Sequence, residues 1–168
     1  VNCHVNLTNI CTSRCKFCAF GRDEDECGAY AMSKEQAIAV VRDAMRDPNL
    51  AGLHVVSGLH PTWSFEDYLG IVRALHETFP ELYMKGFTGV EITHFAKISG
   101  LSVADVLIRL RDEGGLQSIA GGGAEILSDR VRDELCPNKA SADEWLEVAR
   151  TAHQLGLKSN ASMLYGHI

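Results

Sequence analysis

Three cysteines fall in the run Cys-Thr-Ser-Arg-Cys-Lys-Phe-Cys, as Cys11, Cys15 and Cys18, which puts three thiolates on one short loop. Three such ligands can hold an iron–sulfur cluster while leaving one iron without a protein donor, whereas clusters that only carry electrons are usually held by four cysteines. The open iron can take a chelating small molecule. S-adenosylmethionine offers such a chelate through its amino and carboxylate groups, and an electron from the cluster can then break its C5′–S bond to give a 5′-deoxyadenosyl radical. Two other chemistries use the same thiols. One is a non-catalytic electron carrier; the other is structural zinc, which needs a fourth protein donor such as Cys27 or His4.

Other residues could serve a site built on this loop. Arg14 and Lys16 flank the cysteines, where cations would lower thiolate pKa values and offset cluster charge. Phe17, just before the last cysteine, offers an aromatic face to a cluster or an adenine. Ser57 and Gly58 can expose backbone polar groups to an ammonium, because glycine permits close approach. The run Gly121, Gly122 and Gly123 carries a backbone-entropy cost that an ordinary turn does not need, and it lacks the Gly-Lys-Ser/Thr ending of a phosphate loop. Glu125 could accept hydrogen bonds from ribose hydroxyls, or simply start a helix. His60 is a candidate to bind a substrate carboxylate or move a proton. Thr88, Asn160, Tyr165 and His167 are further substrate candidates, while His54, His76, His94 and His153 read as structural.

The elements that must position these residues repeat one grammar of strand, loop and helix. Strands are predicted over 1–7, 52–57, 82–87, 117–120 and 158–164. Helices are predicted to start at Ser33, Ser64, Ser102 and Ser141, each followed three residues later by a residue able to complete a capping box. Strands alternating with amphipathic helices imply right-handed βαβ units and a parallel sheet, with the site at the carboxyl ends of the strands. The cysteine loop, Ser57-Gly58, Thr88 and the glycine run all fall on that rim. Five units without a reversal signal favour a β/α barrel wall over a doubly wound sheet.

The bulk numbers narrow the partners. The 168 residues are 46% hydrophobic and 23% charged, the balance of one globular domain with a sizeable core. A net charge of −6 with no dense Lys/Arg patch argues against a nucleic-acid surface and for a small-molecule partner. No run approaches the apolar length of a membrane span. With three of six cysteines inside eight residues, the layout is that of a metal site in a reducing compartment, and the expected location is the cytoplasm. Cys3, Cys27 and Cys136 read as buried or incidental thiols. A chain opening at Val1 inside a strand pattern and stopping within another reads as a fragment, missing the carboxyl-terminal part of its barrel.

The spacing Cys11, Cys15, Phe17, Cys18 resembles the signature of the radical S-adenosylmethionine superfamily. Further segments resemble its menaquinone and deazaflavin biosynthesis branch, most closely the aminofutalosine synthase family. They are Asn6-Leu-Thr-Asn-Ile-Cys11, Gly58-Leu-His-Pro61, Phe87-Thr-Gly-Val-Glu-Ile92, Gly121-Gly-Gly-Ala-Glu-Ile126, Cys136-Pro137 and Asn160-Ala-Ser-Met-Leu-Tyr-Gly-His167. The resemblance implies an α/β fold, a partial TIM-like (β/α) barrel of radical SAM type carried over residues 1–168 as about five units. It implies a 4Fe-4S cluster on Cys11, Cys15 and Cys18, S-adenosylmethionine as co-substrate, its amino group at Ser57 and Gly58, and its ribose near Glu125. The implied reaction adds the adenosyl radical to 3-[(1-carboxyvinyl)oxy]benzoate, with a flavodoxin or ferredoxin as reductant. The cyclic dehypoxanthine futalosine synthases and deazaflavin (F0) synthases share the cysteine loop. Two positions depart from the branch's pattern: Ser57 where a second glycine is usual, and Gly89 where alanine is common.

Overall fold

The computed structural model describes residues 1–166. Five strands, β1 (Asn2–Asn6), β2 (Gly52–Val56), β3 (Tyr83–Thr88), β4 (Ser118–Ala120) and β5 (Lys158–Ser159), form one sheet in which every neighbouring pair is parallel. Their spatial order follows the chain, β1-β2-β3-β4-β5. A doubly wound sheet reverses its order part-way, so this uninterrupted sequence is a barrel wall.

Six helices connect the strands: α1 (Lys34–Ala44), α2 (Phe65–Thr78), α3 (Gly89–Ser99), α4 (Val103–Asp112), α5 (Asp129–Leu135) and α6 (Ala142–Gln154). Ser33, Ser64, Ser102 and Ser141 are the N-caps expected from sequence, each hydroxyl accepting from the backbone N–H three residues on. Two helices escape the sequence reading. Helix α3 begins with no loop at all, because Thr88 ends β3 and caps the helix in the same residue. Helix α5 is seven residues long and its Ser128 cap makes no side-chain hydrogen bond, so it lacks the signals that mark the others. Strand β5 is also shorter than the predicted 158–164, since the three-residue β4 pairs with only two of its residues.

Side-chain parity divides the sheet. Val5, Leu7, Leu53, Val55, Met84 and Ile119 point to the helices and are at most 1% exposed, in one core with Val41, Leu69, Leu75, Phe95 and Leu107. The alternate residues, His4 and Asn6 on β1 with Val56 on β2, face a cleft instead. The strands thus carry the core on one side and the site on the other.

Candidate active site

The segment between β1 and α1 holds the cysteines and is tied to the sheet by its backbone. Leu7 N–H donates to Val56 O (2.9 Å), Gly58 N–H to Thr8 O (2.7 Å) and Thr12 N–H to Leu59 O (3.0 Å). The loop closes on itself where Cys11 N–H reaches Arg22 O and Arg22 N–H reaches Asn9 O. Asn9 staples it further, its Nδ2 donating to Gly28 O and its Oδ1 accepting from Tyr30 N–H. These bonds explain Gly58. A Cβ there would stand 2.3 Å from Ile10 O, so the glycine is required by the cysteine loop itself, before any ligand is considered.

Cys11, Cys15 and Cys18 all line a cleft of about 540 Å³. None is in a disulfide; Cys11 and Cys15 are half-buried and Cys18 is exposed. Burial pushes the Cys15 thiol up to about 11, opposed by Lys139 and reinforced by Cys136, Cys11 and Cys18. Ligation by Cys15 therefore releases a proton and draws on the nearby Lys139. Among the described residues no three His, Cys, Asp or Glu side chains converge closely enough to hold a metal ion, Cys11, Cys15 and Cys18 included, so the three thiols share one cleft wall without meeting at a point. Three free thiols framing an open cleft fit a cluster with one iron left for another ligand.

A second cation joins the expected one beside the cysteines. Arg14 is shared between the field of Cys11 and ion pairs with Glu26 (2.8 Å) and Asp23 (3.7 Å). Lys139, invisible as a site residue in the sequence, lies 5.1 Å from the Phe17 ring centroid and 2.8 Å from Glu125 Oε1. Phe17 and Glu125 thus belong to one cluster with Lys139 on the cleft wall. Glu125 starts no helix; it sits at φ 48°, and its Oε1 also accepts from Gly123 N–H (3.2 Å).

A second residue that sequence reasoning missed is Glu91. It is the third residue of α3 and 3% exposed, with Oε1 accepting from Ser57 N–H (2.6 Å) and Oε2 from Thr88 N–H (2.6 Å). One carboxylate therefore joins the ends of β2 and β3 where both meet the cleft. Burial pushes it up to about 7, while the Thr88 and Ser57 N–H groups pull it back. The signals that could have found it were a Thr-x-x-Glu capping box inside an apolar run and its place in the family-like segment Phe87-Thr-Gly-Val-Glu-Ile92. Because Ser57 N–H is taken by Glu91, the group that Ser57 offers is its buried Oγ, which has no partner among the described residues.

The glycine run divides its labour. A Cβ on Gly121 would lie 2.2 Å from Asn160 O, so this residue lets β5 pass. Gly123 has φ 83°, and Gly122, held by Trp145 Nε1–H to its carbonyl (3.1 Å), lines the cleft with Gly123. The unusual Gly89 has a similar cause: a Cβ there would stand 2.7 Å from Trp145 Cδ1.

Thr88, Ser57 and Gly58 join the cysteines in the cleft wall, whereas Gly121, His60, Asn160 and Tyr165 are not among its lining residues. His60 is 5% exposed, stacked on Trp63 at 5.0 Å, with Nδ1 accepting from Thr62 N–H and its own N–H donating to Tyr68 Oη. It supports the turn after Gly58 from beneath. Tyr165 is 91% exposed, and His167 lies outside the described residues. His54, read as structural, is on the cleft side of the sheet, its ring 5.2 Å from that of His4.

With this geometry in place, the comparison with known families is decisive: the profile of the radical SAM superfamily matches residues 5–168. The chain belongs to the radical SAM superfamily. Membership implies S-adenosylmethionine and a 4Fe-4S cluster, which the three thiols and the cleft suit. The chain is 44% identical over its whole length to aminodeoxyfutalosine synthase of Streptomyces coelicolor, and 46% identical over 98% of it to that of Thermus thermophilus. It is 40% identical over its whole length to the 5-amino-6-(D-ribitylamino)uracil–L-tyrosine 4-hydroxyphenyl transferase of Methanopyrus kandleri. It covers 43%, 44% and 45% of these three relatives, somewhat under half their length. Among solved structures, the FeFe-hydrogenase maturase HydG from Carboxydothermus hydrogenoformans shares the fold, with TM-score 0.64 at 17% identity, over 98% of this chain and 36% of that one. No helix among the described residues is long and apolar enough to cross a membrane.

Proposed function

We propose that this chain is the cluster-bearing part of an aminofutalosine synthase. The observation that carries the reading is the cysteine cleft in a chain 44% and 46% identical to two aminodeoxyfutalosine synthases, against 40% to the Methanopyrus transferase. A cluster held there would supply the electron that cleaves S-adenosylmethionine, and the overall reaction would convert it and 3-[(1-carboxyvinyl)oxy]benzoate to 6-amino-6-deoxyfutalosine and methionine on a route to menaquinone, the carboxyl group leaving as carbon dioxide and the electron being returned. Cys11, Cys15 and Cys18 hold the cluster. Ser57 Oγ and the Glu91 carboxylate stand where β2 and β3 open into the cleft, suited to an ammonium group. Gly122 leaves room beside them, Phe17 supplies a flat apolar face, and Glu125, fixed by Lys139, offers a carboxylate to sugar hydroxyls. A small acidic electron carrier such as flavodoxin or ferredoxin is the reductant.

The test is mass spectrometry of the product made by the full protein, reconstituted anaerobically with iron and sulfide and given reductant, S-adenosylmethionine and the enol-ether benzoate. An adenosylated product that has lost its carboxyl group is expected. Formation of 5′-deoxyadenosine alone overturns the reading. Transfer from tyrosine to 5-amino-6-(D-ribitylamino)uracil would assign the chain to the second group of relatives.

A further inference from the structure

The pairing register places one residue from each strand in a single row: His4 opposite His54, His54 opposite Lys85, Lys85 opposite Ser118, and Ser118 opposite Lys158. The row points away from the helix-packed core, because its neighbours along the strands, Val5, Leu53, Val55, Met84 and Ile119, are the ones that enter it; His4 lines the cleft, and the other four are not among the cleft's lining residues. Four of its five side chains can carry positive charge, and none is acidic. Ion pairs with carboxylates reach none of the four among the described residues, although Lys139, close by, is matched by Glu125.

Inside the row, His54 Nε2 is buried with no hydrogen-bond partner among the described residues, and so is Asn6 Oδ1 on β1, two residues beyond His4. His54 titrates below the usual histidine range, first through burial and then through the charges of Lys85 and His4. An anion beside it would oppose the contributions of both cations. We propose that the His4–His54–Lys85 row, extended by Lys158, is the seat of a carboxylate on the substrate. The ligand class is a planar, most simply aromatic, carboxylate. Its anion takes N–H donors from two or three adjacent strands, which stand about 4.8 Å apart. His54 precedes Ser57 by three residues, or about 10 Å of strand, so one aromatic ring spans the distance from the row to the rim. The reacting end of the substrate would then face the cysteine cleft while the carboxylate is held below it. The proposal rests on the function proposed above only for the identity of the substrate; the row itself asks for any carboxylate of this shape.

The test uses 3-(carboxymethoxy)benzoate, a saturated ether that cannot accept a radical, and its dimethyl ester as the uncharged control, with binding to the reconstituted protein followed by equilibrium dialysis. Lys85→Met is expected to weaken the diacid about tenfold, the loss of one charge-assisted contact, while Lys85→Arg restores it to within about threefold. His54→Phe is expected to weaken it about fivefold. The ester is expected to bind weakly and to all variants alike. Unchanged diacid affinity in Lys85→Met, in a protein whose melting curve matches the parent, overturns the proposal, as does failure of the diacid to bind the parent. Turnover of the enol-ether benzoate with a KM that Lys85→Met leaves untouched would sink the row and leave the proposed function standing. Row-dependent binding of the diacid by a protein that forms no adenosylated product would do the reverse.

Discussion

The two faces of the sheet are built from the same strands and differ by one residue of parity. On the helix side Val5, Leu53, Met84 and Ile119 are at most 1% exposed and closely packed with five helices. On the other side their immediate strand neighbours His4, His54, Lys85 and Ser118 carry charge or polarity and include a buried nitrogen with no partner among the described residues. The helix face contributes stability through removed apolar area and dense contact. The cleft face gives some of that up, keeping polar groups unpaired, which a protein retains where a ligand is to answer them. Glu91 stands where the two faces meet, rooted in α3 and bonded to the strand ends at the cleft.

This contrast can be broken by measurement. Leu53→Ala, on the helix face, is expected to lower unfolding free energy by about 2–5 kcal/mol in chemical denaturation. His54→Ala, one residue away, is expected to change it by less than about 0.5 kcal/mol. Equal effects at the two positions would end the division of labour. Glu91 supplies the next largest effect. Its carboxyl is held near 7 when folded and titrates near 4.5 when unfolded, so the folded state binds the extra proton between those values. Stability is then highest below about pH 4.5 with respect to this group and falls as pH rises through 7, by about 3 kcal/mol in all. Glu91→Gln should remove that slope, and melting curves of both proteins at pH 5 and 7.5 give the comparison. A slope unchanged by the substitution would show that other groups cause it.

A smaller effect probes how tightly the helix side is filled. Gly89→Ala gains helix propensity but puts a methyl group against Trp145, and a net loss of about 1–2 kcal/mol is expected. Pairing it with Trp145→Leu should make the alanine neutral or better. If the single variant is instead stabilised, the contact between α3 and α6 is looser than the geometry shows.

Much of this was legible before any coordinates. The cysteine spacing, the serine caps of α1, α2, α4 and α6, and the gathering of Ser57, Gly58, Thr88 and the glycine run on one rim follow from local rules. Helix α3 was not legible, because a strand that turns into a helix at one residue leaves no loop to read. Its Glu91 went with it. His60 looked like a rim ligand because Gly-Leu-His-Pro reads as a loop, yet Trp63 and Tyr68, on the turn and helix that follow, fold back and enclose it. Lys139 was hidden for a similar reason: sequence proximity to the cysteines pointed to Arg14, whereas Lys139 reaches Phe17 from 122 residues further along the chain.

The sequence by itself determined the order of the strands, the four serine-capped helices, the parallel sheet and the three thiols, since caps, periodicity and short-range spacing depend on residues a few positions apart. Only the tertiary structure decided which residues share the cleft. That choice depends on strand register and on contacts between distant segments: Glu91 with Ser57, Lys139 with Phe17, and a cationic row assembled one residue per strand. Period-two alternation states that His4, His54 and Lys85 each face away from the core. It takes the register to make them neighbours.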